Sequence, residues 1–168
     1  LTFSSYLSRI SFNLIRDEST GELFADSRSD MEGATTVENF RIIFKKEELD
    51  RINSIHSDNG TEYDNKNFES FCKDFFIQHT TANETVHAEN SHIENSIQIV
   101  KTELNANLAK SGLPQSFWEN ALIYSLIQLN YKNPKLAKIY QSAPFQFGEL
   151  VVYRSSHANS DQQRHGNA

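Results

Sequence analysis

The feature that most constrains the fold is a change of period along the chain. Residues 1–16, LTFSSYLSRISFNLIR, place Leu1, Phe3, Ile10, Phe12 and Leu14 in partial alternation around a polar break, the period of two expected of a pair of antiparallel strands. From Thr35 onward the apolar residues instead recur at helical intervals, with Val37, Phe40, Ile43 and Phe44 first. Strands come first and then alternate with helices. That order fits a mixed sheet flanked by helices better than a bundle or a sandwich.

Between those segments, residues 17–34 are polar apart from Leu23 and Phe24, which support no more than a weak third strand. TTVENFRIIFKKEEL reads as one helix, with Thr35 and Glu38 at capping-box spacing. RINSIHSD then reads as a short strand that delivers Asp58 to its end, and Asn65 caps a second helix whose Phe68, Phe71, Cys72 and Phe75 line one face. FIQHT is a further strand, followed by a polar loop, TANETVHAEN, of the kind that stays mobile. A long helix from Ser91 to Lys110 carries Ile93, Ile97, Val100, Leu104 and Leu108, and Ser111-Gly112-Leu113-Pro114 stops it. QSFWENALIYSLIQLNY is the last strong helix and is expected to bury Trp118, Leu122, Leu126 and Leu129. FGELVVY reads as a short strand, and RSSHANSDQQRHGNA as a loose tail.

The 168 residues suit one domain with a real core. Sixteen basic against 22 acidic residues give a net charge of −6, which opposes a broad electrostatic footprint for nucleic acid. The single cysteine, Cys72, excludes an internal disulfide and a Cys-rich zinc site, is expected to fill core space, and fits a reducing intracellular compartment. No apolar run approaches the roughly 20 residues that span a bilayer, so no membrane partner is expected. The start at Leu1 reads as the start of a fragment.

HSDNGTEY holds the chemistry. Taken alone, Asp58 before Asn59-Gly60 is turn chemistry, and Glu94 is a favourable acid in the first turn of a helix. The histidines, His56, His79, His87 and His92, show no helical i, i+4 pair and read as surface or loop residues rather than metal ligands. Yet 35 residues separate Asp58 from Glu94, and the flanking words SDNGTEY, FCKDFFIQHTTA and KSGLPQSFWENAL occur in order. Together they resemble the integrase catalytic core of copia-type LTR retrotransposons, closely from about residue 56 to 130 and more weakly through PFQFGELVVY.

That resemblance implies an α/β, RNase H-like fold with a mixed five-stranded sheet flanked by helices. It assigns residues 1–143 to the core and 144–168 to the start of the post-core region. It further implies phosphoryl transfer on DNA by an Asp, Asp, Glu triad holding Mg²⁺ or Mn²⁺, with Asp58 on one ion and Glu94 on the other; such ion pairs lie about 4 Å apart. DNA ends and target DNA are the implied partners, with self-association through the core helices, in a nucleus or a cytoplasmic virus-like particle. Weak contacts to nucleic acid fall on Asn59, Asn90 and Lys101.

The departures from the pattern are as informative. The first acid should follow TF after one residue, where this chain has Ser5, a neutral hydroxyl; Asp17, the nearest downstream acid, falls at the far end of the second strand. After Glu94 the family's Arg and later basic residues give way to Asn95-Ser96-Ile97-Gln98, which removes counterion-release affinity. The family's Asn-Gly is Asn90-Ser91, and the glycine before its fifth strand is Phe76. The expectation is therefore a weak or inactive integrase core. A non-catalytic, co-opted core kept for self-association is the rival, and a nuclease of the wider RNase H-like group is a third reading with less support.

Overall fold

The computed structural model describes residues 12–27, 33–58, 60–81, 91–140 and 145–150. Strand β1 (Phe12–Arg16) pairs antiparallel with β2 (Leu23–Ser27), in a register running from Phe12 opposite Ser27 to Arg16 opposite Leu23. Helix α1 (Gly33–Ile43) and the one-turn α2 (Lys46–Leu49) follow. Strand β3 (Ser54–Ser57), helix α3 (Lys66–Asp74) and strand β4 (Gln78–Thr81) form a crossover unit in which β3 and β4 are parallel. Helices α4 (Ser91–Ser111) and α5 (Trp118–Lys132) complete the order, with a 3₁₀ turn, Gln115–Phe117, between them.

The alternation of β1 and β2 explains the layering. Leu14, Leu23, Ala25 and Phe12 face α4 and α5, where Val100, Leu104, Leu108, Ala121, Leu122 and Leu126 complete an aliphatic core. Ile15 faces the opposite way, toward Phe40, Leu49, Phe68, Phe71, Cys72 and Ile77, and Phe24 meets the Phe44 ring edge-on at 5.0 Å. A hairpin with period two thus separates two helical layers. Cys72 fills core space as expected, and burial pushes its thiol pKa up.

Polar side chains lock the layers. Asn130 on α5 accepts from the Leu23 amide and donates to the Leu23 carbonyl, both at 2.9 Å, so its amide satisfies both backbone groups of one residue on β2. Asn107 donates to the Ser125 hydroxyl at 2.8 Å between α4 and α5, and Ser125 in turn donates to Ala121 O.

Several sequence expectations change. The helix over TTVENFRIIFKKEEL is interrupted after Ile43: the Lys45 amide donates to Glu48 Oε2 at 2.7 Å and starts a new turn. The first helix begins at Gly33, so Thr35 and Glu38 lie inside it rather than at its cap. Trp118 and Leu129 are partly buried residues packed against the aliphatic core, whereas Leu122 and Leu126 are buried. Residues 147–150 are turn and irregular backbone, with Gly148 at φ 79°, rather than the start of a strand. Among the described residues the strands form two separate pairs, not one five-stranded sheet. The strand expected at the start of the chain, the loop at 82–90, the end of FGELVVY and the tail lie outside the described residues.

Two positive backbone angles bear on the pattern. Gly112 at φ 66° ends α4, as its position after the last apolar residue predicts. Phe76 adopts φ 56° with 93% of its surface exposed, at the junction of α3 and β4 where the resemblance expects glycine. The junction therefore holds a non-glycine residue in the left-handed conformation that glycine adopts most readily.

Candidate functional site

Asp58 stands one residue past the end of β3, and it is exposed. Strand β3 forms here because Ser54-Ile55-His56-Ser57 alternates between faces while pairing with Gln78–Thr81. The ladder ends with Ser57 opposite Thr81, so local bonds hold Asp58. Its Oδ1 accepts from the Gly60 amide at 3.2 Å, a bond of the kind Asp makes to the backbone two residues on. Its carbonyl accepts from the Ser57 hydroxyl at 2.9 Å. Asp58 is thus a turn acid by local geometry, with a carboxylate left facing solvent.

A side chain at Gly60 would have to displace the Glu62 carboxylate. A Cβ there would sit 2.5 Å from Glu62 Oε2 and 3.0 Å from Asp58 Oδ1, so two carboxylates crowd the same point. Glu62 is buried, and sequence reasoning passed over it as part of the turn. The signal was present in the compact spacing of DNGTE, which folds the second acid back on the first through a turn in which Tyr63 and Asp64 both donate to Gly60 O.

Glu94 occupies the first turn of α4, also exposed, and lines a shallow open depression with Ser91, Asn95, Ile97 and Gln98. Helix α4 is placed by its apolar stripe on β1 and α5. Among the described residues, the others that line this depression carry no charge. Lys101 follows seven residues later on the same face, roughly 10 Å along the axis, and is exposed.

Strand β1 links the two acids' supports. Asn13 on β1 accepts from the Tyr63 hydroxyl at 2.8 Å, tying down the Asp58 loop. Arg16 at the other end donates to Ser96 on α4 at 3.1 Å and lies 3.4 Å from Glu18. Asp17 is spent on the hairpin: its Oδ1 accepts from the Ser19 amide and hydroxyl, each at 2.7 Å, and from the Thr20 amide at 3.3 Å. Burial opposes ionisation there, but the bonds from Ser19 and Thr20 outweigh it and hold the carboxyl below its usual range.

Among the described residues no three His, Cys, Asp or Glu side chains come together as a metal cage. The donor chemistry of Asp58 and Glu94 suits a hard cation, because both are exposed carboxylates, but the donor number is short. Ser5, Asn59 and Asn90 lie outside the described residues.

His56 on β3 and His79 on β4 lie on the strands that RINSIHSD and FIQHT predict, and of the two only His79 departs from a surface position. The His56 ring lies 3.0 Å from Thr80 Oγ1 on the solvent face. His79 is half-buried on the other face, its Nε2 2.9 Å from Ser57 Oγ and its ring edge-on to Phe68 at 5.0 Å. Burial and the neighbouring His56 lower the His79 pKa, against the opposing pull of Asp64 and Glu69. His92 pairs with Glu18 at 3.3 Å.

No protein-family profile matches the chain. Among curated proteins, the retrovirus-related Pol polyprotein from transposon TNT 1-94 of Nicotiana tabacum is 26% identical over 83 residues, 49% of this chain and 6% of the polyprotein. The Gag-Pro-Pol polyprotein of squirrel monkey retrovirus is 36% identical over 85 residues, again 49% of this chain and 4% of the polyprotein. The chain therefore spans only a small part of the length of these relatives.

Among solved structures, the simian T-cell lymphotropic virus intasome, determined in complex with PP2A regulatory subunit B56 gamma, superposes with a TM-score of 0.62 at 24% identity, covering 73% of this chain and 42% of that one. The HTLV-2 integrase catalytic core domain in complex with magnesium, in a dimeric form, gives 0.57 at 24% identity over 73% of this chain and 74% of that one. The catalytic core domain of BIV integrase gives 0.60 at 20% identity, covering 77% and 84%. At these identities the likeness is one of fold.

Proposed function

We propose that this chain, which has the RNase H-like fold of integrase catalytic cores and whose relatives are retroviral and retrotransposon Pol polyproteins, derives from the DNA-processing core of a copia-type retrotransposon integrase. The observation that carries the reading is positional. One carboxylate stands at the end of β3 and another in the first turn of α4, on a fold of this type.

In this reading Asp58 and Glu94 hold Mg²⁺ or Mn²⁺. The Gly60 amide fixes one oxygen of Asp58 and leaves the other for the cation. Glu94 presents its carboxylate from a helix whose other face is anchored in the aliphatic core. A divalent cation, when bound, makes the attacking oxygen a better nucleophile and neutralises charge on the phosphate. Lys101, Asn59 and Asn90 make weak contacts to nucleic acid. Residues 1–143 form the core and 144–168 begin the following region. The setting is a nucleus or a virus-like particle.

Ser5 stands where the first acid belongs, so the cations face too few carboxylates, and this copy is weak or inactive. Oligonucleotides carrying retrotransposon ends, incubated with Mg²⁺ or Mn²⁺, should be neither trimmed nor joined at the rate of an intact core. Joining at such a rate, abolished by Glu94→Gln, contradicts the inactivity claim.

A second reading is favoured by one observation: Ile99 on α4 and Ile123 and Tyr131 on α5 leave 45%, 57% and 40% of their surfaces exposed. These side chains suit a self-association face that outlasts the chemistry. Sedimentation showing a dimer, with no Mg²⁺ or Mn²⁺ uptake by calorimetry, favours the non-catalytic module.

A further inference from the structure

We propose that His79 is a positioning residue that holds Asp58 through Ser57; the inference rests on the reading of Asp58 as a cation-holding carboxylate. The Ser57 hydroxyl has one hydrogen, and it donates that hydrogen to Asp58 O at 2.9 Å. His79 Nε2 lies 2.9 Å from Ser57 Oγ. With its hydrogen spent, Ser57 Oγ accepts, so His79 carries a hydrogen on Nε2. The bonding direction therefore runs from the imidazole to the serine to the backbone of Asp58.

The imidazole is itself well placed for this. Parallel pairing sets His79 opposite Ile55, on the face of the sheet that Ser57 also uses. The ring stands edge-on to Phe68, with centroids 5.0 Å apart and an interplanar angle of 76°. Phe68 is fully buried and contacts Phe40, Phe71 and Tyr63, so the ring is anchored to the centre of the aromatic core. His56 faces the other side of the sheet and lies against Thr80.

Asp58 needs such a brace. It lies beyond the last ladder pair, and a ligating carboxylate must be held to within about 0.5 Å to be useful. Ser57 is buried, so its hydroxyl is not offered to DNA; its position suits an internal support.

Long-range ¹H–¹⁵N correlation on labelled full chain reads the tautomer directly. A hydrogen on Nε2 of neutral His79 is expected, and a hydrogen on Nδ1 alone overturns the relay. His79→Phe keeps an aromatic ring and removes the donor, and should speed amide exchange at Gly60 roughly fivefold, as expected for one lost hydrogen bond. His79→Gln, which keeps an N–H, should stay near the parent. Equal acceleration in both variants, or acceleration matched at the Phe68 and Phe71 amides, reveals a merely structural role and overturns the proposal. If His79→Phe does not fold, Ser57→Ala provides the same readout, with release of the Gly60 amide expected and unchanged exchange contradicting it. Mn²⁺ broadening of the Gly60 signal tests the other reading separately: its absence in the parent chain removes the cation from Asp58, while tautomer and exchange still decide the brace.

Discussion

Asp58 and Glu94 stand on halves of the molecule built in different ways. The β3–α3–β4 half is packed with rings: Phe40, Phe68 and Phe71 lie within 5.6 to 5.9 Å of one another, and a chain of hydrogen bonds runs from His79 to the backbone of Asp58. The α4–α5 half is packed with aliphatic side chains, and Glu94 projects from the first turn of a helix that its other face secures. One acid is held by bonds within a few residues of it, the other by the placement of a whole helix. Damage to one half should therefore spread differently from damage to the other.

The largest effects should come from the two cores. Phe68→Ala should cost about 3–5 kcal/mol and Leu104→Ala about 2–5 kcal/mol in urea unfolding, since both side chains are essentially buried. Because the clusters on the two faces of the hairpin share no buried residue, the double variant should be additive to within about 0.5 kcal/mol. A larger coupling would mean that the halves are one core.

A smaller effect has the opposite sign. Phe76→Gly should stabilise the chain by about 1 kcal/mol, because the left-handed backbone at φ 56° penalises a side chain that gains nothing by burial. An unchanged or lowered urea midpoint would show that Phe76 earns its position by a contact outside the described residues.

The smallest effect follows from His79. Its pKa is lowered from 6.5 in the folded chain, so the unfolded chain binds the proton more readily. The stability linked to this group is present above about pH 6.5 and is lost as the pH falls below that value. His79→Gln should remove that share of the pH dependence between pH 7.5 and 5.5, measured by urea unfolding.

The two halves were also unequally legible in the sequence. Helix α4, its stop at Gly112 and helix α5 were readable because a long 3.6-residue period and a Gly-Leu-Pro break are local signals. The break between α1 and α2 was not, since the apolar spacing runs on through Phe44, and only the bond from the Lys45 amide to Glu48 shows where the chain restarts. Asp58 and Glu94 were singled out by the resemblance together with their 35-residue spacing, and they stand where the sequence puts them, just past β3 and in the first turn of α4. The brace behind Asp58 could not be found in this way, because Ser57 and His79 meet only once β3 and β4 pair in parallel across the intervening helix. Glu62 was hidden for a related reason: its burial against Gly60 depends on how tightly the turn closes.

The central claim is that two acids of a metal-dependent DNA-processing site survive on this fold while Ser5 stands in place of the third. Restoring the acid tests it most directly. Ser5→Asp, assayed on retrotransposon-end oligonucleotides with Mn²⁺, should gain nicking that the parent chain lacks and that Asp58→Asn or Glu94→Gln removes again. Nicking by the parent chain equal to that of Ser5→Asp, or no gain in a folded Ser5→Asp chain, would contradict the account.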